Sequence, residues 1–194
     1  MLIGLYFGSF NPIHTGHLII ANHVLNETSL QKIWFVVSPQ NPFKPSSTLL
    51  NEYDRLHLVQ IAIDNDDRLK ASEIEFSLPK PSYTAHTLTY LQEKYPTHQF
   101  TILMGSDSFQ NLEKWKNAET IIKNYPIVVY NRPGFEVTNT LGADVTIMNA
   151  PLLEISATYI RECLQQGKSI KYLVPETVEA EIEKSGFYKR PQKK

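Results

Sequence analysis

Two histidines stand where they could act on a phosphate group. His14 and His17 lie three residues apart, with Gly16 between them, and a short apolar run ends at Gly8 just before them. A glycine lets the backbone approach a ligand closely, and the start of a helix offers unpaired N–H groups and the positive end of its dipole. An imidazole can donate a hydrogen bond to a phosphoryl oxygen as charge builds there. The pattern therefore predicts a phosphate site.

The same histidines have two other interpretations. A lone histidine in a strand-to-helix turn is usually a cap or a surface residue, although the pair in this setting favours the anion site. A zinc site would need a third ligand at a useful spacing. The chain has a single cysteine, Cys163, and no HExxH pattern, so we expect no metal ion held by protein ligands.

A second candidate phosphate site lies near the other end of the chain, at Ile155–Arg161. Ser156 is a good candidate for a helix N-cap, and Thr158 and Arg161 are three apart, hence on one helical face. Arginine can hold phosphate oxygens in a bidentate manner. Taken alone, the segment predicts only a capped helix, so its functional interpretation depends on the histidine motif.

The pattern of apolar runs predicts the scaffold for both motifs. Four runs read as buried strands, namely Leu2–Phe7, Ile33–Val37, Phe100–Met104 and Pro126–Tyr130, with weaker candidates at 69–76 and 145–148. Segments with helical spacing lie between them. This alternation is typical of an α/β fold with helices on both faces of the sheet. We predict a Rossmann-like, doubly wound, mainly parallel sheet, whose ligands bind at the carboxyl ends of the strands.

Composition and charge exclude several classes of protein. The 194 residues carry 19 basic and 20 acidic side chains, a net charge of −1, which argues against a nucleic-acid binder. No apolar run approaches the ~18 residues that cross a bilayer, and the first residues lack the basic region of a signal peptide. We expect a cytoplasmic protein with one domain over residues 1–188 and a frayed basic tail over 189–194. The oligomeric state stays open.

The histidine motif resembles a known signature. Gly8-Ser9-Phe10-Asn11-Pro12-Ile13-His14-Thr15-Gly16-His17 is similar to the (G/T)xFxPxHxGH pattern of the HxGH nucleotidyltransferase superfamily. These enzymes join the α-phosphate of a nucleotide to a phosphate acceptor and release pyrophosphate. Ile155–Arg161 resembles the family's ISSTxIR, with Ala157 in place of the second serine.

Segments between the two motifs, and two that follow the second motif, resemble one branch of the superfamily, the bacterial nicotinate-nucleotide adenylyltransferases. They are Ser82–Leu88 (similar to SYTxDTL), Leu103–Phe109 with Trp115, Asn131–Gly134 (their RPG), Tyr172–Pro175 and Gly186–Tyr188. The resemblance implies transfer of AMP from ATP to nicotinate mononucleotide by direct in-line attack. The products would be nicotinate adenine dinucleotide and pyrophosphate, in NAD biosynthesis. It also implies Mg²⁺ with the co-substrate ATP, and we name no protein ligand for that ion.

The resemblance assigns roles to individual residues. The implied catalytic residues are His14, His17 and Arg161. The implied ATP-binding residues are Gly8, Ser9, Phe10, His14, Gly16, His17, Gly105, Asp107, Ser156, Thr158 and Arg161. The implied acceptor-binding residues are Lys44, Thr84, Trp115 and Asp107. Ordinary structural explanations also exist: a solvated loop lysine for Lys44, helix caps for Asp107 and Thr84, and a core side chain for Trp115.

Some positions depart from the family pattern. Phe43 replaces a histidine, Asn11 replaces the usual aspartate, and His86 stands where the family has an aspartate, which leaves acceptor selectivity less determined than catalysis. Arg55 and Glu73 lie in family-like stretches, but surface salt bridges explain them equally well.

Three alternatives follow from this reading. The acceptor could be nicotinamide mononucleotide or phosphopantetheine, or the chain could be a nucleotide-binding module without activity, because a fold alone does not give a function. The intact histidine pair and arginine weigh against the last.

Overall fold

The computed structural model describes residues 1–40, 49–151 and 154–189. Its strands are β1 (Leu2–Gly8), β2 (Lys32–Val37), β3 (Leu69–Ser72), β4 (Gln99–Gly105), β5 (Ile127–Tyr130) and β6 (Val145–Met148). They form one sheet with the order β3-β2-β1-β4-β5-β6, and every neighbouring pair is parallel. The predicted Rossmann-like fold is confirmed, with a fully parallel sheet.

Helices connect these strands. They are α1 (Thr15–Glu27), α2 (Glu52–Ile63), α3 (Thr84–Lys94), α4 (Ser106–Phe109), α5 (Ala118–Asn124), α6 (Ala157–Gln165) and α7 (Glu176–Ser185), with 3₁₀ turns at Ile74–Ser77 and Leu112–Lys114. The strand candidate at 69–76 is too long. The chain leaves the sheet after Ser72, and the following 3₁₀ turn buries Ile74 and Glu75.

Two apolar layers cover the sheet because successive side chains of a strand point to opposite faces. In β1, Ile3 and Leu5 pack on the face covered by α3 and α5, whereas Tyr6 packs on the face covered by α1, α2, α6 and α7. The two layers hold the sheet between the helices. Because both faces of the sheet are covered, the candidate polar residues lie at the ends of the strands.

The strand order reverses between β1 and β4, so the chain segments that follow these two strands diverge. Gly8 and Gly105 each lie two residues beyond the paired residues Tyr6 and Leu103. In doubly wound sheets, this divergence opens the crevice in which ligands bind. Both the histidine motif and the segment that begins α4 emerge at this crevice.

Two further expectations concern the tail and membrane-spanning segments. Residues 190–194 of the predicted tail lie outside them, so the proposed division at residue 188 stays a prediction. Within the ranges that are described, no helix combines the length and apolar character needed to cross a bilayer.

Candidate active site

The histidine motif forms the turn from β1 into α1. His14 is the N-cap of α1, with an extended backbone, and the N–H of His17 donates to the His14 carbonyl at 2.9 Å. In return, the backbone N–H of His14 donates to Nδ1 of His17 at 3.2 Å. Because Nδ1 accepts this bond, a neutral His17 carries its ring proton on Nε2. The turn therefore makes Nε2 a hydrogen-bond donor.

The two imidazole rings stack, with their centroids 3.7 Å apart and their planes inclined by 25°. His14 is 6% exposed. Burial lowers the pKa of His14 to about 4, and the nearby positive charge of Arg132 acts in the same direction. His14 is thus neutral near pH 7, which avoids two stacked cations.

Two glycines allow the turn to close tightly. A Cβ at Gly16 would lie 3.1 Å from Nδ1 of His14, and a Cβ at Gly8 would lie 2.8 Å from the ring of Phe10. Phe10 has a φ of 44°, and its buried ring meets His17 edge-on at 5.1 Å. The ring of Phe10 therefore supports His17 from the core, so any contact of this residue with ATP comes from its backbone.

The second motif lies against the first. Ser156 is the N-cap of α6, and its hydroxyl accepts the N–H of Tyr159 at 3.1 Å. Nη1 of Arg161 donates to the carbonyl oxygen of Asn11 at 2.7 Å, and Nη2 donates to Oγ1 of Thr158 at 3.2 Å. A single arginine thus joins two motifs that are 150 residues apart in sequence. Ser156 and Thr158, both at the start of α6, are exposed.

The carboxyl end of β4 adds an ion pair. Asp107 lies in the first turn of α4, and its Oδ2 is 3.4 Å from Nη1 of Arg132. The backbone N–H of Arg132 donates to the hydroxyl of Ser106 at 2.8 Å, which ties the loop after β5 to the end of β4. A Cβ at Gly105 would collide with Asp107 and crowd Arg132. The glycine therefore leaves room for both charges at the crevice.

Of the predicted acceptor residues, Thr84 and Trp115 lie on other segments than the histidine turn. Thr84 is the first residue of α3, whose N-cap, Tyr83, makes no side-chain capping bond. Trp115 is half-buried and packs against the opposite face of the sheet from α1. His86 is exposed in the first turn of α3. Lys44, together with Phe43, lies outside the described residues.

The comparisons with known proteins decide the family. The model of the family described as cytidylyltransferase-like matches residues 5–163, which include both motifs. The chain belongs to the cytidylyltransferase-like family. A relative from Cytophaga hutchinsonii, named "Probable nicotinate-nucleotide adenylyltransferase", is 51% identical over 97% of this chain and 98% of its own. One from Flavobacterium psychrophilum with the same name is 47% identical over 98% and 100%. These names confirm the branch of the family that the middle segments predicted.

Solved structures of this family share the fold. The chain superposes on the Plasmodium falciparum nicotinic acid mononucleotide adenylyltransferase complexed with NaAD with a TM-score of 0.83. The two are 22% identical, and the match covers 96% of this chain and 97% of that one. At this level of identity, the likeness supports the cytidylyltransferase-like architecture alone.

Three residues near the site were not assigned a role from the sequence. Arg55 is fully buried and donates to four backbone carbonyls, so the alternative explanation of this residue by a surface salt bridge is wrong. Glu75 is 1% exposed and accepts the hydroxyl of Thr87 at 2.8 Å, and burial raises its pKa. Arg132 lies in the RPG-like segment, and that resemblance was the one signal for it.

A cavity of about 770 Å³ opens at the amino ends of the strands, opposite the ends that carry the histidine turn. It is lined by residues at the amino ends of the strands, including Leu2, Gln99 and Ile127. It contains neither the histidine pair nor Arg161. Because ligands of open α/β sheets bind at the carboxyl ends of the strands, the crevice at the histidines is the candidate site.

Proposed function

We propose that this protein transfers the AMP group of ATP to the phosphate of nicotinate mononucleotide, giving nicotinate adenine dinucleotide and pyrophosphate. The observation that carries this proposal is the turn from β1 into α1. There the ring geometry makes Nε2 of His17 a donor, and Arg161 is bonded to the same turn. The names of the relatives at 47–51% identity support the choice of reaction.

The reaction is a direct displacement at phosphorus. An oxygen of the acceptor phosphate forms a bond to the α-phosphorus of ATP, and the bridging bond to the β-phosphate breaks. Pyrophosphate leaves with the electron pair, so no covalent enzyme intermediate is needed. Catalysis then rests on positioning and on neutralising charge, as in phosphoryl transfer generally.

Each part of the turn has a task in this reaction. Nε2–H of His17 donates to an oxygen of the α-phosphate as charge accumulates there, which is the donor role that lowers such barriers most. His14, with Gly8, Ser9, Phe10 and Gly16, lines the same phosphate from the turn. Ser156, Thr158 and Arg161 hold the outer phosphates at the start of α6, where the helix dipole also favours an anion.

Mg²⁺ enters this proposal as the ion that accompanies ATP. The carboxylate of Asp107, just after β4, is engaged by Arg132. We therefore assign the ion to phosphate oxygens and water, as is common for this cation. When bound, it neutralises part of the triphosphate charge.

The acceptor side of the proposal rests on four residues. We propose that Lys44 binds a ligand phosphate, that Asp107 meets a ribose, and that Trp115 stacks on the pyridine ring. Thr84 and the first turn of α3 receive the nicotinate carboxylate, because the start of a helix favours an anion. We also propose that residues 1–188 act as one catalytic domain in the cytoplasm, without a nucleic-acid or membrane partner.

Pyrophosphate release tests the proposal. The purified protein is incubated with ATP and Mg²⁺ and, in separate reactions, with nicotinate mononucleotide, nicotinamide mononucleotide or phosphopantetheine. Release is expected with the first, and wild-type rates are expected for a His57→Ala control at an exposed histidine of α2. Absence of release with all three acceptors refutes the enzyme. Preference for either of the other acceptors refutes the choice of nicotinate mononucleotide.

A further inference from the structure

The side chain of Arg55, in the first turns of α2, makes an unusual set of bonds. Nε donates to the carbonyl of Leu50 at 2.8 Å, and Nη1 donates to those of Ser9 at 2.6 Å and Ser38 at 2.9 Å. Nη2 donates to the carbonyl of Pro39 at 3.1 Å. Four backbone acceptors thus surround a guanidinium group, which has five N–H donors in a fixed planar arrangement.

No ion pair found among residues 1–40, 49–151 and 154–189 includes Arg55. A buried charge without a carboxylate is costly, and it is tolerated only where hydrogen bonds surround it. A surface position for the same residue would avoid that cost. The position of Arg55 therefore indicates a demand for its planar set of donors at this point of the fold.

The four carbonyls belong to three separate segments. Ser9 lies in the turn after β1, Ser38 and Pro39 lie at the exit from β2, and Leu50 lies just before α2. The same turn is also held at Asn11, because its Oδ1 accepts the N–H of Leu50 at 3.1 Å. Arg55 therefore reaches the turn twice, directly at Ser9 and through the segment that it holds at Leu50.

The second motif also holds this turn. Arg161 donates to the carbonyl of Asn11, two residues beyond the carbonyl that Arg55 holds at Ser9. Phe10, between them, has a left-handed backbone and a buried ring in contact with His17. The backbone from 9 to 11 is thus held at both ends, by Arg55 at Ser9 and by Arg161 at Asn11. It lies immediately before the histidines that we propose bind the phosphate.

We propose that Arg55 is a positioning residue for adenylyl transfer, whose four carbonyl bonds hold the turn before His14 and His17 against the exit from β2. It touches no reacting atom. Its effect reaches the reaction through the histidines, for which a displacement of about 1 Å can cost on the order of 10²-fold in rate. This inference rests on the proposed function, since the turn has this task only if ATP binds there.

Two variants of Arg55 test the inference. Arg55→Lys keeps the charge but gathers its donors at one point, so it cannot span the four carbonyls, and Arg55→Gln removes the charge. Ile63→Ala is the control for stability, because Ile63 is buried at the far end of the same helix. Arg68→Lys is the control for the chemical change at an exposed arginine that pairs with Asp66. All variants are assayed well below their unfolding temperatures.

The first readout is turnover at saturating ATP and acceptor. Both Arg55 variants should lose at least tenfold in kcat, whereas Ile63→Ala and Arg68→Lys should stay within about twofold of the wild type. A loss confined to KM would overturn the inference, since the defect is expected in the bound complex. So would a kcat loss in Ile63→Ala as large as that in Arg55→Lys, because instability alone would then explain it.

The second readout needs no substrate and so separates this inference from the proposed function. Amide hydrogen exchange, followed by mass spectrometry, should accelerate at least tenfold over residues 9–17 in Arg55→Lys relative to Ile63→Ala. Unchanged exchange there would overturn the inference even if the protein proved to be an adenylyltransferase. Failure of both Arg55 variants to fold would also overturn it, because the residue would then be a general requirement for folding.

Discussion

Acid should destabilise this protein through His14, and the size of the effect follows from its surroundings. The pKa of His14 is about 4 in the folded protein, compared with the ordinary histidine value of 6.5 that applies to the unfolded chain. As the pH falls below about 6.5, the unfolded chain therefore takes up a proton at this residue before the folded protein does. The contribution of neutral His14 to stability is complete above this pH and declines down to about pH 4.

The magnitude follows from the difference of the two values. Each unit of pKa difference corresponds to about 1.36 kcal/mol, so the free energy of unfolding should fall by about 2 kcal/mol by pH 5 and by about 3 kcal/mol by pH 4. For a protein of ordinary stability, this is a large part of the total.

The assay compares the wild type with His14→Asn. Asparagine is also a good N-cap, so the variant keeps the start of α1 while it loses the titrating ring. Urea unfolding is followed by tryptophan fluorescence at pH 7, 6, 5 and 4.5. The wild type should lose more stability than the variant between pH 6.5 and 4.5, and His57→Asn should follow the wild type. Parallel curves for wild type and His14→Asn would refute the reasoning, because they would place the acid sensitivity elsewhere.

Three further predictions concern the same turn. His17→Ala should lower turnover by on the order of 10²–10³, as loss of a preorganised donor does, and a loss of a few-fold in steady-state assays would mark His17 as structural. Gly16→Ala should lower turnover about tenfold with a small change in melting temperature, because its Cβ crowds Nδ1 of His14. Wild-type turnover in that variant would show that the ring can shift without consequence. ATP binding at pH 5.5 should draw a proton onto His14, since the phosphates favour its charged form. Calorimetry in buffers of different ionisation enthalpy measures that uptake, and identical heats in all buffers would contradict it.

The sheet could be predicted because each buried strand is a continuous apolar run, which only a sheet covered on both faces requires. The short edge strand β3 was overestimated, because the alternating pattern continues through Ile74 and Glu75 although the chain has already turned away. Glu75 occupies a polar position of that pattern, so the sequence did not indicate that its side chain is buried and accepts the hydroxyl of Thr87.

The residues to which we assign the proposed chemistry could be proposed from the sequence because they lie in short contiguous motifs. Arg55 could not, since its partners are backbone carbonyls from three segments, and a carbonyl has no signature in the sequence. The neutral state of His14 was equally hidden, because it depends on burial and on Arg132, which is distant in sequence. Such properties belong to the assembled fold.

The bond from Arg161 to the carbonyl of Asn11 has a consequence for the protein during its synthesis on the ribosome. A chain emerging from the ribosome exposes the histidine turn before α6, because the arginine that holds the turn is synthesised 150 residues after Asn11. Until α6 has left the exit tunnel, the nascent chain lacks one side of the phosphate site. The proposed adenylyl transfer would therefore begin only after α6 has been synthesised and has folded against the turn.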